Sequence, residues 1–145
     1  MLFIREVVYM VQVILAKIES IERCVNRVKE IYQQGTLEEY LYQDALILNL
    51  QRACQQSIDL AMYIVSEKGL GLPKFSREAF KILYENQIIS EITCEKMTGI
   101  IGFRNIAIHE YQNLDINIIK SIVENDLGDF AAYIKEILKD IEDFQ

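Results

Sequence analysis

Proline, glycine and patterned cysteine are scarce in this chain, and each scarcity excludes something. Of 145 residues only Pro73 is proline and six are glycine, so material for tight turns is thin. A β-rich fold needs many turns, whereas a bundle of long helices needs few. Cys24, Cys54 and Cys94 form neither a CxxC pair nor a zinc-ligand spacing, which predicts three reduced thiols and no metal site. No run reaches the ~18–20 apolar residues of a membrane span. Residues 7–16 are apolar, but Glu6 and Gln12 interrupt that region and no small-residue cleavage site follows. The expectation is a cytoplasmic chain without membrane association. Basic excess is missing as well. The formal charge is −7, against the basic surface by which proteins usually grip long nucleic acid. Activity on RNA or DNA would need a local cationic cleft, for instance one assembled from two chains.

What is present is helical periodicity. About half the residues are apolar, and no composition shift divides the chain, so residues 1–145 read as one domain. Ile4, Val7, Val11, Ile14, Ile18, Ile21, Val25, Val28 and Tyr32 alternate spacings of 3 and 4, which predicts a helix from about Phe3 to Tyr32. Val8 and Leu15 widen its stripe enough to cover a second helix or a partner chain. Gly35 closes that helix, and Thr36 with Glu39 reads as a capping box for the next. The second helix runs to about Lys68 with Leu41, Ile47, Leu50, Cys54, Ile58, Ala61 and Val65 inward. Arg52 and Asp59, seven apart and so on one face, are either solvated or supporting partners of a site.

Gly69-Leu70-Gly71-Leu72-Pro73 reads as a flexible connector. Ser76 caps a short helix to about Asn86, and Ser90 caps a fourth. Asp115 caps a last helix with the stripe Ile116, Ile119, Val123, Leu127, Phe130, Ile134, Ile137, Ile141 and Phe144. Gly128 falls inside it at a cost of about 1 kcal/mol, which a close helix contact would explain. The predicted architecture is all-α: an antiparallel bundle of four long helices plus one short helix.

Chemistry concentrates in Gly102–Gln112, which holds the only histidine, His109, with Arg104 five residues before it and Tyr111 two after. On a straight helix Arg104 and His109 lie about 140° apart, Arg104 and Tyr111 about 20° apart. The arginine and histidine converge only if the helix ends near His109 or if two copies face each other. Arginine offers a permanently charged fork to phosphate, and imidazole moves protons near neutrality. Metal-independent cleavage of an RNA phosphodiester needs both, plus a second imidazole as acid, which points to a dimer. A lone histidine near a helix end also serves as a cap or a solvated group, so this pair alone leaves both readings open.

Arg104-Asn105-x-x-x-His109-x-Tyr111, preceded by Gly102-Phe103, resembles the signature of the HEPN superfamily and of its HepT-like toxins. Gln51-Arg52, Asp59-Leu60-Ala61, the run Glu67–Pro73, Phe80, Ile88-Ile89-Ser90 and the Asp-Leu-x-x-Phe of Asp126–Phe130 extend the likeness along most of the chain. The resemblance implies an all-α HEPN-like homodimer with its RxxxxH motifs at the dimer cleft, acting as an endoribonuclease toxin on an RNA substrate. Arg104 would bind phosphate, His109 would do acid–base work and Asn105 would support them; apart from the resemblance, Arg52 and Asp59 are candidate supporting residues, with Asp59 expected to orient Arg104. The resemblance also implies a nucleotidyltransferase antitoxin that moves AMP from ATP to Tyr111. A bulky anion beside Arg104 would fill the place of the RNA phosphate. The toxin itself would need no cofactor, ATP being used by the transferase. The alternative is a non-catalytic nucleotide-binding or substrate-presenting subunit of the transferase complex. The blandest reading is a structural helical dimer.

Overall fold

Apolar residues three and four apart commit long runs of the chain to helix. The computed structural model describes residues 2–35, 37–110 and 113–144, with the side chains of Leu2 and Phe144 left aside. Six helices follow in order: α1 (Leu2–Gln34), α2 (Tyr40–Glu67), α3 (Ser76–Glu85), α4 (Glu91–His109), α5 (Ile116–Asn125) and α6 (Gly128–Phe144). No strand occurs among the described residues, and none of these helices is long and apolar enough to cross a membrane.

α1 and α2 form an antiparallel hairpin, the expected outcome for two long helices joined by residues 35–39. Its register shows in two contacts. Cys24 Sγ lies 3.9 Å from Gln56 Oε1. Seven residues back on α1 and seven forward on α2, Lys17 Nζ lies 5.7 Å from the centre of the Tyr63 ring. α3 and α4 pack on α2, α6 packs on α4, and α6 closes back onto α1. The buried cluster draws on all six helices. At its centre the Tyr133 ring meets Phe80 edge-on at 5.6 Å, and the Tyr133 hydroxyl donates to the Ser57 carbonyl at 3.0 Å. The half-buried pair Lys68–Asp140, at 2.6 Å, ties the end of α2 to α6.

Several helix ends follow sequence chemistry. Ser90 Oγ accepts from the Thr93 N–H and Asp115 Oδ1 from the Asn117 N–H, capping α4 and α5. Gly69 takes φ +63°, while Gly69 N–H reaches Ser66 O and Leu70 N–H reaches Val65 O. That pair of bonds is a Schellman motif, which needs a left-handed residue. Gly35 ends α1 for a steric reason: a Cβ there would stand 2.6 Å from the Tyr42 ring.

Other ends differ from expectation. α2 starts at Tyr40 with Glu39 as N-cap and no side-chain cap bond; Thr36, the other half of the expected box, lies outside the described residues. Leu41 and Ile4, expected inward, are 77% and 64% exposed. Both sit at helix ends, Leu41 in the first turn of α2 and Ile4 where α1 projects beyond the length of its partner. α3 takes Phe75 rather than Ser76 as its N-cap. The last helix is two: α5 ends at Asn125, the Asp126 N–H closes on Ile122 O at 2.8 Å, and α6 restarts at Gly128. Asn125, Asp126 and Gly128 are poor helix formers. The stripe survived the break because Ile119, Leu127 and Phe130 all still point inward. Gly128 therefore begins a helix, and a Cβ there would meet no atom within 4 Å, so no close helix contact explains it.

Candidate active site

α4 carries the site because its helix continues unbroken from the Ser90 cap to His109 and stops there, with Glu110 N–H bonded to Ile106 O at 2.8 Å. His109 is thus the last helical residue and is exposed. Arg104, five residues earlier, is half-buried. Its Nη1 donates to Asn105 Oδ1 at 2.7 Å. Its Nε is shut off from solvent and has no hydrogen-bond partner among the described residues. An unsatisfied buried donor costs about 1–3 kcal/mol, which an anionic acceptor would offset.

The guanidinium also acts on α2. Burial pushes the Cys54 thiol far above its ordinary range, and the positive charge of Arg104 pulls part of that shift back. Arg104 therefore lies on the Cys54 side of α2. Arg52 and Asp59 lie about 160° and 140° around that helix from Cys54, so they face elsewhere within the chain. Both are exposed. The Asp59 carboxylate accepts from Gln55 Nε2 at 2.9 Å, and among the described residues no ion pair joins it to Arg104. One chain brings Arg104 and Asn105 together and leaves Arg52 and Asp59 apart from them. Tyr111 lies outside the described residues.

Arg104 and Asn105 line an open groove of about 430 Å³ with Thr98, Ile101 and Gly102 of α4 and Phe75, Ser76 and Arg77 at the start of α3. The place of the α3 residues on this groove was not legible, because the preceding Gly-Leu-Gly-Leu-Pro looks like a plain connector. The available signal was Lys74-Phe75-Ser76-Arg77, where basic and aromatic residues interleave. Ile106 and Ile108 flank the site with 41% and 44% of their surface exposed. Among the described residues no three His, Cys, Asp or Glu side chains cluster as metal ligands would.

The ribonuclease HepT-like family matches residues 18–137, a span that includes Arg104, Asn105 and His109. The mRNA nuclease HepT of Shewanella oneidensis is 37% identical over 127 residues, which is 86% of this chain and 96% of that protein. The tRNA nuclease HepT of Aphanizomenon flos-aquae is 27% identical over 129 residues, 86% of this chain and 87% of that one. Among solved structures, the tri-AMPylated Shewanella oneidensis HEPN toxin in complex with MNT antitoxin matches with a TM-score of 0.81 at 37% identity, over 87% of this chain and 96% of that chain. A toxin–antitoxin structure with AMP-PNP matches with a TM-score of 0.83 at 35% identity, over 88% and 98%. The YutE protein of Bacillus subtilis, 14% identical with a TM-score of 0.77, shares the fold. The chain described here, from its helical hairpin to its Arg104–His109 segment, belongs to the ribonuclease HepT-like family.

Proposed function

We propose that this protein is the toxin of a toxin–antitoxin pair, a metal-independent endoribonuclease whose site is Arg104 and His109 at a homodimer cleft. The observation that carries the reading is a half-buried guanidinium with an unsatisfied Nε, in an open groove, on the same helix as an exposed terminal histidine. The ribonuclease family and the nuclease relatives support it. Arg104 holds the scissile phosphate through its planar fork, with Asn105 fixing one arm of that fork. One imidazole takes the 2′-hydroxyl proton while the 2′-oxygen bonds to phosphorus. The bond from phosphorus to the 5′-oxygen breaks, and that oxygen takes a proton from a second imidazole. Each chain has one histidine, so the second belongs to another copy. Ile106 and Ile108 offer apolar surface beside the site for that copy to cover. Asp59 and Arg52 reach the cleft, if they support it, from the partner copy.

Control passes through a nucleotidyltransferase antitoxin in the cytoplasm, which transfers AMP from ATP to Tyr111. The toxin solved with MNT antitoxin is AMPylated, and the Tyr111 position supports the same here. Two residues beyond the His109 end of α4 in sequence, an added phosphate would compete with RNA for Arg104.

Expression without the partner is expected to arrest growth and deplete RNA. Arg104→Ala and His109→Ala each abolish both effects, and purified protein cleaves equally with and without EDTA. Incubation with antitoxin and ATP adds AMP by intact mass, and Tyr111→Phe prevents the gain. Toxicity that survives His109→Ala overturns the catalytic assignment. A partner complex without RNA loss at any concentration selects the substrate-presenting subunit instead.

A further inference from the structure

We infer that Phe75 and Arg77, at the start of α3, form a subsite for a nucleotide of single-stranded RNA next to the scissile phosphate. The inference rests on the nuclease reading and names the groups that hold the substrate in register.

Three observations converge. First, the two helices share one groove: Phe75, Ser76 and Arg77 face Thr98, Gly102, Arg104 and Asn105 across it. It therefore offers two guanidinium groups, one from each helix, on a chain whose net charge is −7. Single-stranded nucleic acid is held by this pairing of backbone-tracking cations with an aromatic platform.

Second, Phe75 is 59% exposed, although a phenylalanine gains by burial. The Arg77 guanidinium carbon stands 5.7 Å from the ring centre. With the cation on one face, the exposed ring surface remains for a base. Stacking accepts any base, so the subsite holds RNA without fixing its sequence.

Third, Phe75 breaks a local rule. It is the N-cap of α3, where a serine, threonine, aspartate or asparagine would accept a backbone N–H, and it makes no side-chain cap bond. Ser76, a good capping residue, stands one place too late. Local rules broken without structural gain concentrate at functional positions. Glu78, one residue beyond Arg77, is not among the residues lining the groove; its Oε2 accepts from the Lys74 backbone N–H at 2.7 Å.

The test separates binding from chemistry. A single-stranded 2′-O-methyl RNA oligonucleotide lacks the nucleophile and is titrated against the whole protein by fluorescence anisotropy. Phe75→Ser is expected to weaken binding about tenfold, the lower part of the range for one lost stacking contact. Its melting temperature should hold or rise, because serine restores the cap. Phe75→Trp retains the affinity. Arg77→Gln weakens binding and lowers the slope of log affinity against log salt by about 0.7, the share of one phosphate contact on a single strand. Arg23→Gln, which removes the same charge from α1, leaves both unchanged. Wild-type affinity in both Phe75→Ser and Arg77→Gln overturns the subsite, whatever the cleavage assay shows. If those variants lose affinity as expected but the wild-type protein cuts no RNA, the subsite stands and the nuclease reading fails.

Discussion

Gly102 has no side chain, and that gap shapes the floor of the groove beside Arg104. A Cβ built there meets no atom within 4 Å, so packing does not require glycine. Glycine inside a helix costs about 1 kcal/mol relative to alanine, and α4 bears that cost mid-length. Gly102→Ala is therefore expected to raise unfolding free energy by about 1 kcal/mol and the melting temperature by about 3–4 °C. Gly102→Phe should also fold, but with its ring lying in the groove it should bind RNA poorly. Thermal melts and oligonucleotide titration of the two variants check both halves. A destabilised Gly102→Ala would mean that the helix backbone is more tightly approached there than it is in this chain alone. At this scale the sequence offered Arg104 and His109 as the candidate pair, because the one histidine stands five residues from a permanently charged arginine. That Phe75 and Arg77 share a groove with Arg104 was not legible. They neighbour Arg104 only across two helices, and no linear spacing records that.

The elements show where periodicity informs and where it misleads. α1 and α2 were legible because their stripes keep one face turned to the core for many turns. The break between α5 and α6 was hidden for the same reason: Ile119, Leu127 and Phe130 stay in phase across it. Helix ends depend instead on single residues. α3 closes much as α2 does, with Gln87 N–H on Tyr84 O and Ile88 N–H on Leu83 O, but the left-handed position is held by Gln87 at φ +63°. A side chain there costs about 1–2 kcal/mol relative to the right-handed form, and glycine escapes that cost while losing some chain entropy. Gln87→Gly should accordingly stabilise the protein by about 0.5–1 kcal/mol. The urea midpoint would move up with unchanged slope, since no additional surface is exposed on unfolding. A lower midpoint would show that the Gln87 side chain contributes more than its backbone costs.

At the scale of the molecule, two acidic protons are locked inside the bundle, and they weaken it at alkaline pH. Burial drives Tyr133 well above its ordinary value, and burial does the same to the Cys54 thiol despite the opposing charge of Arg104. The native state keeps both protons, whereas the unfolded chain gives up the thiol proton from about pH 8.5 and the phenol proton from about pH 10. Above those values the unfolded state binds fewer protons than the native state, so stability falls as pH rises. The contribution of each group is complete below its unfolded value and shrinks by about 1.4 kcal/mol per pH unit above it. Urea titrations should therefore show no loss from these two groups near neutrality, a shallow decline above about pH 9 and a steeper one above about pH 10. Cys54→Ala should remove the first part of that decline and Tyr133→Phe the second. Tyr133→Phe also deletes the hydrogen bond to Ser57, which lowers the whole curve by about 1 kcal/mol at every pH and so leaves the slope as the diagnostic. Stability that stays level to pH 11 in the wild type would mean that both groups ionise in the folded protein, through an opening of the contacts among α2, α3, α4 and α6 that surround them.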